Sequence, residues 1–287
     1  MTTTTAHRNS IPNDSAFRLW KMRNVVIEML AARKYSLQSL QPLEIEEMTS
    51  NLSKKTKLKK SGSFLHKECR SDKSMEECLG FGERFFDLLE YEKWTKLFEY
   101  EGDPDESMDG AEYAECRLRM SMTCTYGKSD EYSAVVFWYP EAKLGKEKAS
   151  IILRFLGEYD TIILIHSATI STDANSSFRN RPRNRHLDLF NDSELYVNIL
   201  LHPLVPPQKI LSEEKALAVL KDYAVPMDGA YPGMPLILTT DSVAKFLGAR
   251  HSQIIIIKRP SYTQLLPGKK RATTISYRYV VTPSVNQ

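Results

Sequence analysis

Long apolar runs are missing from this sequence. No stretch approaches the roughly 18 consecutive apolar residues that a membrane-spanning helix needs, so no membrane partner is expected. The opening residues, Met1-Thr-Thr-Thr-Thr-Ala-His-Arg, lack the apolar centre of a secretory leader, and none is expected. Cysteine is sparse: Cys69, Cys78, Cys116 and Cys124 form no C-x-x-C pair. His66 and Cys69 lie close together, but Cys78 follows in a Glu-rich stretch without further ligands. The expectation is reduced structural thiols in a cytosolic or nuclear protein, and no metal site. G-x-G-x-x-G, the P-loop and G-x-S-x-G are all absent, and the six histidines are scattered, so no cofactor is expected.

An excess of one charge is missing too. Against 39 Lys+Arg stand 36 Asp+Glu, a net +3 that by itself implies no polyanion partner. The sum hides an asymmetry. Residues 1–199 hold 28 bases and 31 acids, whereas residues 200–287 hold 11 bases and 5 acids, or +6. Ser50–Lys73 carries 8 bases and 2 acids, while Glu83–Glu115 carries 12 acids and 3 bases. Fields act locally, so these blocks matter more than the total.

What is present is ordinary globular material: 42% hydrophobic and 26% charged residues, enough for one large domain or two modest ones. Asp14 or Ser15 can cap a helix whose stripe is Leu19, Met22, Val26, Met29 and Leu30. Lys21, Arg23 and Arg33 fall off that stripe and read as a solvated face. Residues 48–115 read as a charged insertion. Its Lys54–Lys60 run is a linker or a nucleic-acid or nuclear-import patch, and Phe81–Tyr100 is an amphipathic helix. Residues 117–126 alternate as a half-buried strand, with Arg117 and Arg119 on the polar face. Ala134–Tyr139 is its hairpin partner. Lys146–Gly157 fits a helix, and Thr161–Ile165 a central strand covered on both sides. Strand, strand, helix, strand makes an α/β unit.

Ser167–Arg185 reads as a long polar loop. Pro182 opposes helix there, so Arg179, Arg181, Arg183 and Arg185 would project from one side of an extended chain, a spacing suited to successive phosphates. A solvated loop or a protein contact is the plainer reading. Tyr196–Leu201 then reads as a strand and His202–Pro207 as an extended turn, with His202 a turn residue rather than a catalyst. Ser212 caps a helix with the stripe Leu217, Leu220 and Tyr223. Leu236–Leu238 is a strand, Asp241 caps Ser242–Leu247, and Gly248 ends that helix. Gln253–Lys258 and Thr274–Val281 are strands.

These last residues resemble the C-terminal assembly domain of the fifth subunit shared by eukaryotic nuclear RNA polymerases, a family whose archaeal members consist of this domain alone. The matching positions are His202, Leu204, Val205 and Pro206, then Asp241, Val243, Ala244, Gly248 and Gln253, then Arg259, Tyr277 and Arg278. In the first part, Arg18-Leu-Trp-Lys-Met-Arg and Val136-Phe-Trp-Tyr-Pro-Glu with Lys143-Leu-Gly resemble the eukaryotic N-terminal domain. Departures stand at Ser242 (Pro in the family), His251 (a basic residue), Ser252 (Gly) and the Tyr262–Arg271 insertion.

The resemblance implies an α/β (α+β) chain in two parts. Residues 1–199 would be a restriction-endonuclease-like jaw domain near downstream DNA. Residues 200–287 would be a small mixed α/β assembly domain docking on the polymerase's largest subunit. It implies a nuclear, non-catalytic subunit. The departures point to a specialised paralogue, with RNA polymerase I, hence the nucleolus, as the first candidate. Two alternatives stand beside it: a free-standing transcription adaptor of the same fold, and a Mg²⁺-dependent nuclease using Asp130, Glu141 and Lys143. Pro140 counts against the nuclease, because it ends the strand before Glu141.

Overall fold

The computed structural model describes residues 15–43, 110–127, 131–180, 185–223, 233–260 and 273–283. The Lys-rich and Glu-rich stretches between 44 and 109, Asp130, Arg181, Arg183 and the Tyr262–Arg271 insertion lie outside the described residues. Two units emerge, 1–196 and 197–287. The chain is mixed α and β.

The first unit starts with α1 (Ser15–Ala32). Its expected stripe is its buried face: Leu19, Met22, Val26, Met29 and Leu30 are each no more than 1% exposed. The helix ends without glycine. Lys34 takes a left-handed φ of +66°, and Tyr35 N–H donates to Leu30 O at 3.0 Å. Arg23 and Arg33 correct the expectation of a solvated face. Arg23 is 3% exposed, and burial pulls its pKa down to about 10. The Arg33 guanidinium pairs with Asp188 at 2.7 Å. The helix is enclosed on more than its apolar stripe, and long arginine stems fill the remainder.

A five-stranded sheet follows. β1 (Ser36–Pro42), β2 (Met122–Tyr126) and β3 (Tyr132–Trp138) are antiparallel neighbours. β3, β5 (Thr161–His166) and β7 (His186–Asn191) run parallel, so the order across the sheet is β1-β2-β3-β5-β7. All six residues of β5 are buried, as its two-sided apolar sequence requires. α3 (Lys146–Phe155) lies in the β3–β5 crossover and buries Ala149 and Ile152. Val135, Phe137, Tyr139, Ile152, Leu164 and Phe178 belong to one core cluster on that side. A small parallel pair, β4 (Lys143–Leu144) and β6 (Thr169–Ile170), flanks the sheet.

Three expected elements in this stretch are corrected. Residues 117–119 are helical: α2 spans Gly110–Arg119, and the strand begins only at Met122. Leu118 and Met120 are buried from the end of a helix, and their parity happens to continue into β2. The polar loop 167–185 contains α4 (Thr172–Arg179). Ser171 caps it by accepting from Ala174 N–H, and Ala174 and Phe178 are buried beneath it. Tyr196–Leu201 is not a strand. Two 3-10 turns, Asp192–Leu195 and Ile199–Leu201, occupy this region, each capped by an asparagine side chain.

The second unit has a four-stranded sheet. β8 (Gln208–Ile210), β10 (Ile254–Pro260) and β11 (Thr273–Val281) are antiparallel, and β9 (Leu236–Leu238) joins β11 in parallel. The order across the sheet is β8-β10-β11-β9. One face carries the core: Ile237, Ile255, Ile257 and Val280 pack with Ala244 and Ala249. α5 (Glu213–Asp222) starts after Ser212 as expected, but it buries none of its side chains. Ala244 comes from α6 (Ser242–Phe246), a single short turn of helix held at both ends. Asp241 Oδ1 accepts from Val243 and Ala244 N–H at 3.0 and 3.2 Å. Gly248 then turns the chain with φ +68°.

Candidate docking surface

The twelve positions picked out in the sequence divide by what they touch. Asp241, Val243, Ala244 and Gly248 build α6 and its ends. Gln253 Oε1 accepts from Arg250 N–H at 2.7 Å and fixes the turn into β10. His202 is a turn residue: its Nδ1 accepts from Leu204 N–H at 3.2 Å, and its carbonyl accepts from Val205 N–H at 2.9 Å. Pro206, half-buried, leads into β8. Arg278 donates to Leu236 O at 3.3 Å and ties β9 to β11. These residues mainly hold the unit together. Three others present side chains outward. Leu204 is 84% exposed, Arg259 is exposed, and Tyr277 is half-buried against Tyr223, edge to face, at 5.9 Å between centroids.

Further exposed apolar residues, among them Leu217 of the stripe expected from the sequence, add to these. Val197, Leu201, Leu217, Leu236, Leu238 and Ile275 are large apolar side chains, each at least 42% exposed. Among the described residues, the first unit exposes only Phe17, Tyr126 and Tyr132 to a similar degree. Large apolar side chains left exposed in this number on a small unit point to an interaction surface. The signal was readable at α5, where Leu217 and Tyr223 of the expected stripe are 46% and 62% exposed.

The arginine series is only partly as expected. Arg179 closes α4 and is exposed, so it does not lie on an extended chain. The cap at Ser171 and the burial of Phe178 carry helix as far as Arg179, three residues before Pro182. Arg185 is half-buried just before β7 and reaches towards Gly157, where a Cβ would sit 3.4 Å from its Nη1 and 2.3 Å from Leu153 O. The backbone at Gly157 therefore admits no side chain without moving. For the nuclease reading, Glu141 is taken up by an ion pair with Lys148, and Lys143 is exposed in β4. Among the described residues, no group of His, Cys, Asp and Glu is placed to hold a metal ion.

Sequence reasoning missed a dense buried polar arrangement. Arg117 is fully buried. Its Nη1 and Nη2 donate to Asp192 Oδ2 and Oδ1 at 2.6 and 2.9 Å. Its Nε donates to Tyr139 O at 2.7 Å, and Nη2 also reaches Ile165 O at 3.1 Å. Tyr113 accepts from Arg117 and donates to Asp192, and burial raises its pKa. This fork joins α2, the carboxyl ends of β3 and β5, and the turn after β7. Nearby thiols are inert: Cys116 and Cys124 are buried, and burial pushes the Cys124 thiol up to about 12.

The model of the family described as RNA polymerase Rpb5, C-terminal domain, matches residues 197–280. The Rpo5 subunit of DNA-directed RNA polymerase from Methanothermobacter thermautotrophicus is 45% identical over 65 residues, 23% of this chain and 79% of the archaeal protein. The chain belongs to the Rpb5 family. Its likeness to other members extends into the first unit. The RPABC1 subunit of DNA-directed RNA polymerases I, II and III from Caenorhabditis elegans is 28% identical over 167 residues, 57% of this chain and 74% of the nematode protein. The corresponding Dictyostelium discoideum protein is 38% identical over 77 residues, 27% of this chain and 37% of the relative. The Rpb5 match thus falls on the unit that exposes its apolar side chains.

Proposed function

We propose that this Rpb5-family chain is a non-catalytic subunit of a nuclear DNA-directed RNA polymerase. Residues 200–287 form its assembly domain and dock on the largest subunit. The apolar side chains exposed on this unit carry the reading, Leu204 and Leu201 foremost at 84% and 72%. An isolated domain has no use for them, and an assembly partner buries them. Residues 1–199 form the jaw, which approaches downstream DNA with Arg179, Arg181, Arg183 and Arg185. Departures from the family pattern at Ser242, His251 and Ser252 support service to one enzyme, and RNA polymerase I in the nucleolus is the assignment put forward.

Affinity purification of the tagged chain from its own nuclei tests this. The largest subunit of polymerase I, with other subunits of that enzyme, is expected in stoichiometric amount. Equal recovery of the three largest subunits would leave the chain a shared subunit. A stable free monomer would favour the adaptor reading. For the jaw, replacing all four arginines by Ala is expected to weaken retention on duplex DNA. Each lost phosphate contact should reduce the slope of log K against log salt by about 0.9. An unchanged slope would assign the arginines to protein contacts.

A further inference from the structure

The four strands of the second unit carry charge of one sign only. Lys209, Lys258, Arg259 and Arg278 are on them, and no acid is. Among the described residues, the acids of this unit sit elsewhere: Glu213, Glu214 and Asp222 on α5, and Asp241 at the α6 cap.

Register sorts the strand residues by face. Ile256 pairs with Tyr277 and with Lys209, and Lys258 pairs with Ile275. Tyr279 pairs with Leu236, and Val281 with Leu238. These residues share the face opposite the Ile237, Ile255, Ile257 and Val280 core. The opposite face is closed at one end, where Ile254 and Val281 are buried. Towards the other end and the β9 edge it is open: Ile275 is 50% exposed, Leu238 46% and Leu236 42%. Tyr223, 62% exposed, stands edge to face against Tyr277 at its side.

The geometry points to this open sheet face as a docking site for an acidic, apolar segment of a partner polypeptide. Its centre offers aliphatic and tyrosine surface, and Lys209 and Lys258 stand exposed on the same face with no strand carboxylate to neutralise them. A segment alternating Leu or Phe with Asp or Glu matches both features. Polypeptide is favoured over nucleic acid for two reasons. The open surface is largely aliphatic. The two tyrosine rings are also already engaged, Tyr277 with Tyr223 and Tyr279 with His251 at 6.3 Å, which opposes flat stacking of bases. The inference rests on the docking reading for the partner's source, which would be a polymerase subunit, and on the sheet for its chemistry.

The full chain can be titrated with a fluorescein-labelled peptide alternating Glu and Leu, with the same peptide carrying Lys for Glu, and with oligouridine RNA. The acidic peptide is expected to bind at least tenfold more tightly than either rival. Ile275→Glu and Lys258→Glu should each weaken it at least tenfold while leaving the melting temperature within a few degrees. Ala218→Glu, at an exposed position of α5 outside that face, checks that any added acid is not enough. Equal binding of the two peptides, tighter binding of RNA, or no loss in the Ile275→Glu and Lys258→Glu variants would overturn the inference. Recovery of the polymerase's largest subunit with the same variants separates the two readings. Loss of peptide binding with full recovery of the polymerase confines the acidic segment to another partner and overturns the polymerase source. Peptide binding by a chain that recovers no polymerase overturns the subunit reading and leaves the sheet-face chemistry standing.

Discussion

Arg117 and Ser252 show how much a single position can hold. The Arg117 guanidinium is enclosed on all sides, and its charge is met by the Asp192 carboxylate and two backbone carbonyls. Removing one partner strands the other in a dry site. Arg117→Met should therefore destabilise the first unit by about 3–5 kcal/mol. The double variant Arg117→Met/Asp192→Leu should recover most of that loss, because neither charge is then buried alone. Urea unfolding of the singles and the double gives the comparison directly. Ser252 has the opposite character. Its φ of +71° puts a Cβ where the backbone resists one. Ser252→Gly should raise stability by about 1 kcal/mol, read from the shift in unfolding midpoint. Cys124 supplies a pH effect. Its thiol, ordinarily near 9.0, is pushed to about 12 by burial, while a nearby Arg33 charge works the other way. The folded state holds its proton more tightly than the unfolded chain. Stability is therefore fully present below pH 9 and falls as pH rises from there towards 12. Cys124→Ala should flatten that decline, measured as unfolding midpoints at about pH 8 and about pH 9.5.

At the scale of elements, legibility followed burial. β5 and β10 were plain because long apolar runs have few places to go but a core. α1 and α3 showed their stripes, and α6 showed both its aspartate cap and its glycine end. What escaped has particular causes. The α2 end and β2 share a run of alternating apolar residues, so the boundary at Ser121 is invisible without knowing that Arg117 has a buried carboxylate partner. That partner is 75 residues away in sequence. β1 and β7 are edge strands with a mixed burial pattern, which periodicity describes poorly. The candidate surface was half legible: the motif named Leu204 and Tyr277, but Leu236, Leu238 and Ile275 became candidates only once register put them on an open face. A cap tests the element scale. Asp241→Ala removes acceptance from two backbone N–H groups and should cost about 1–2 kcal/mol, visible as a lower melting temperature.

Across the whole molecule, the two units use their side chains differently. The first encloses nearly every large apolar side chain among its described residues, and it also encloses Arg23, Arg33 and Arg117. Among its described residues, the second leaves eight large apolar side chains at least 42% exposed on a far smaller stretch of chain. Its positive excess of +6 over residues 200–287 suits a surface that meets negative partners. Purified alone, the chain is therefore expected to bind a hydrophobic dye and to self-associate as its concentration rises. Both effects should fall when Leu201 and Leu204 are replaced by Ser. Light scattering across a concentration series reads the second.

The position of β11 has one more consequence. It is the latest strand in sequence, yet it sits between β10 and β9 and bonds to both. While the chain emerges from the ribosome, Ile254–Ile257 is therefore made before the strand that covers its second edge. A run of four isoleucines with an unpaired edge is a template for pairing with neighbouring chains. Each nascent chain carries that open edge until Thr273–Val281 arrives, so quality control of this protein is a problem of synthesis order as much as of final stability.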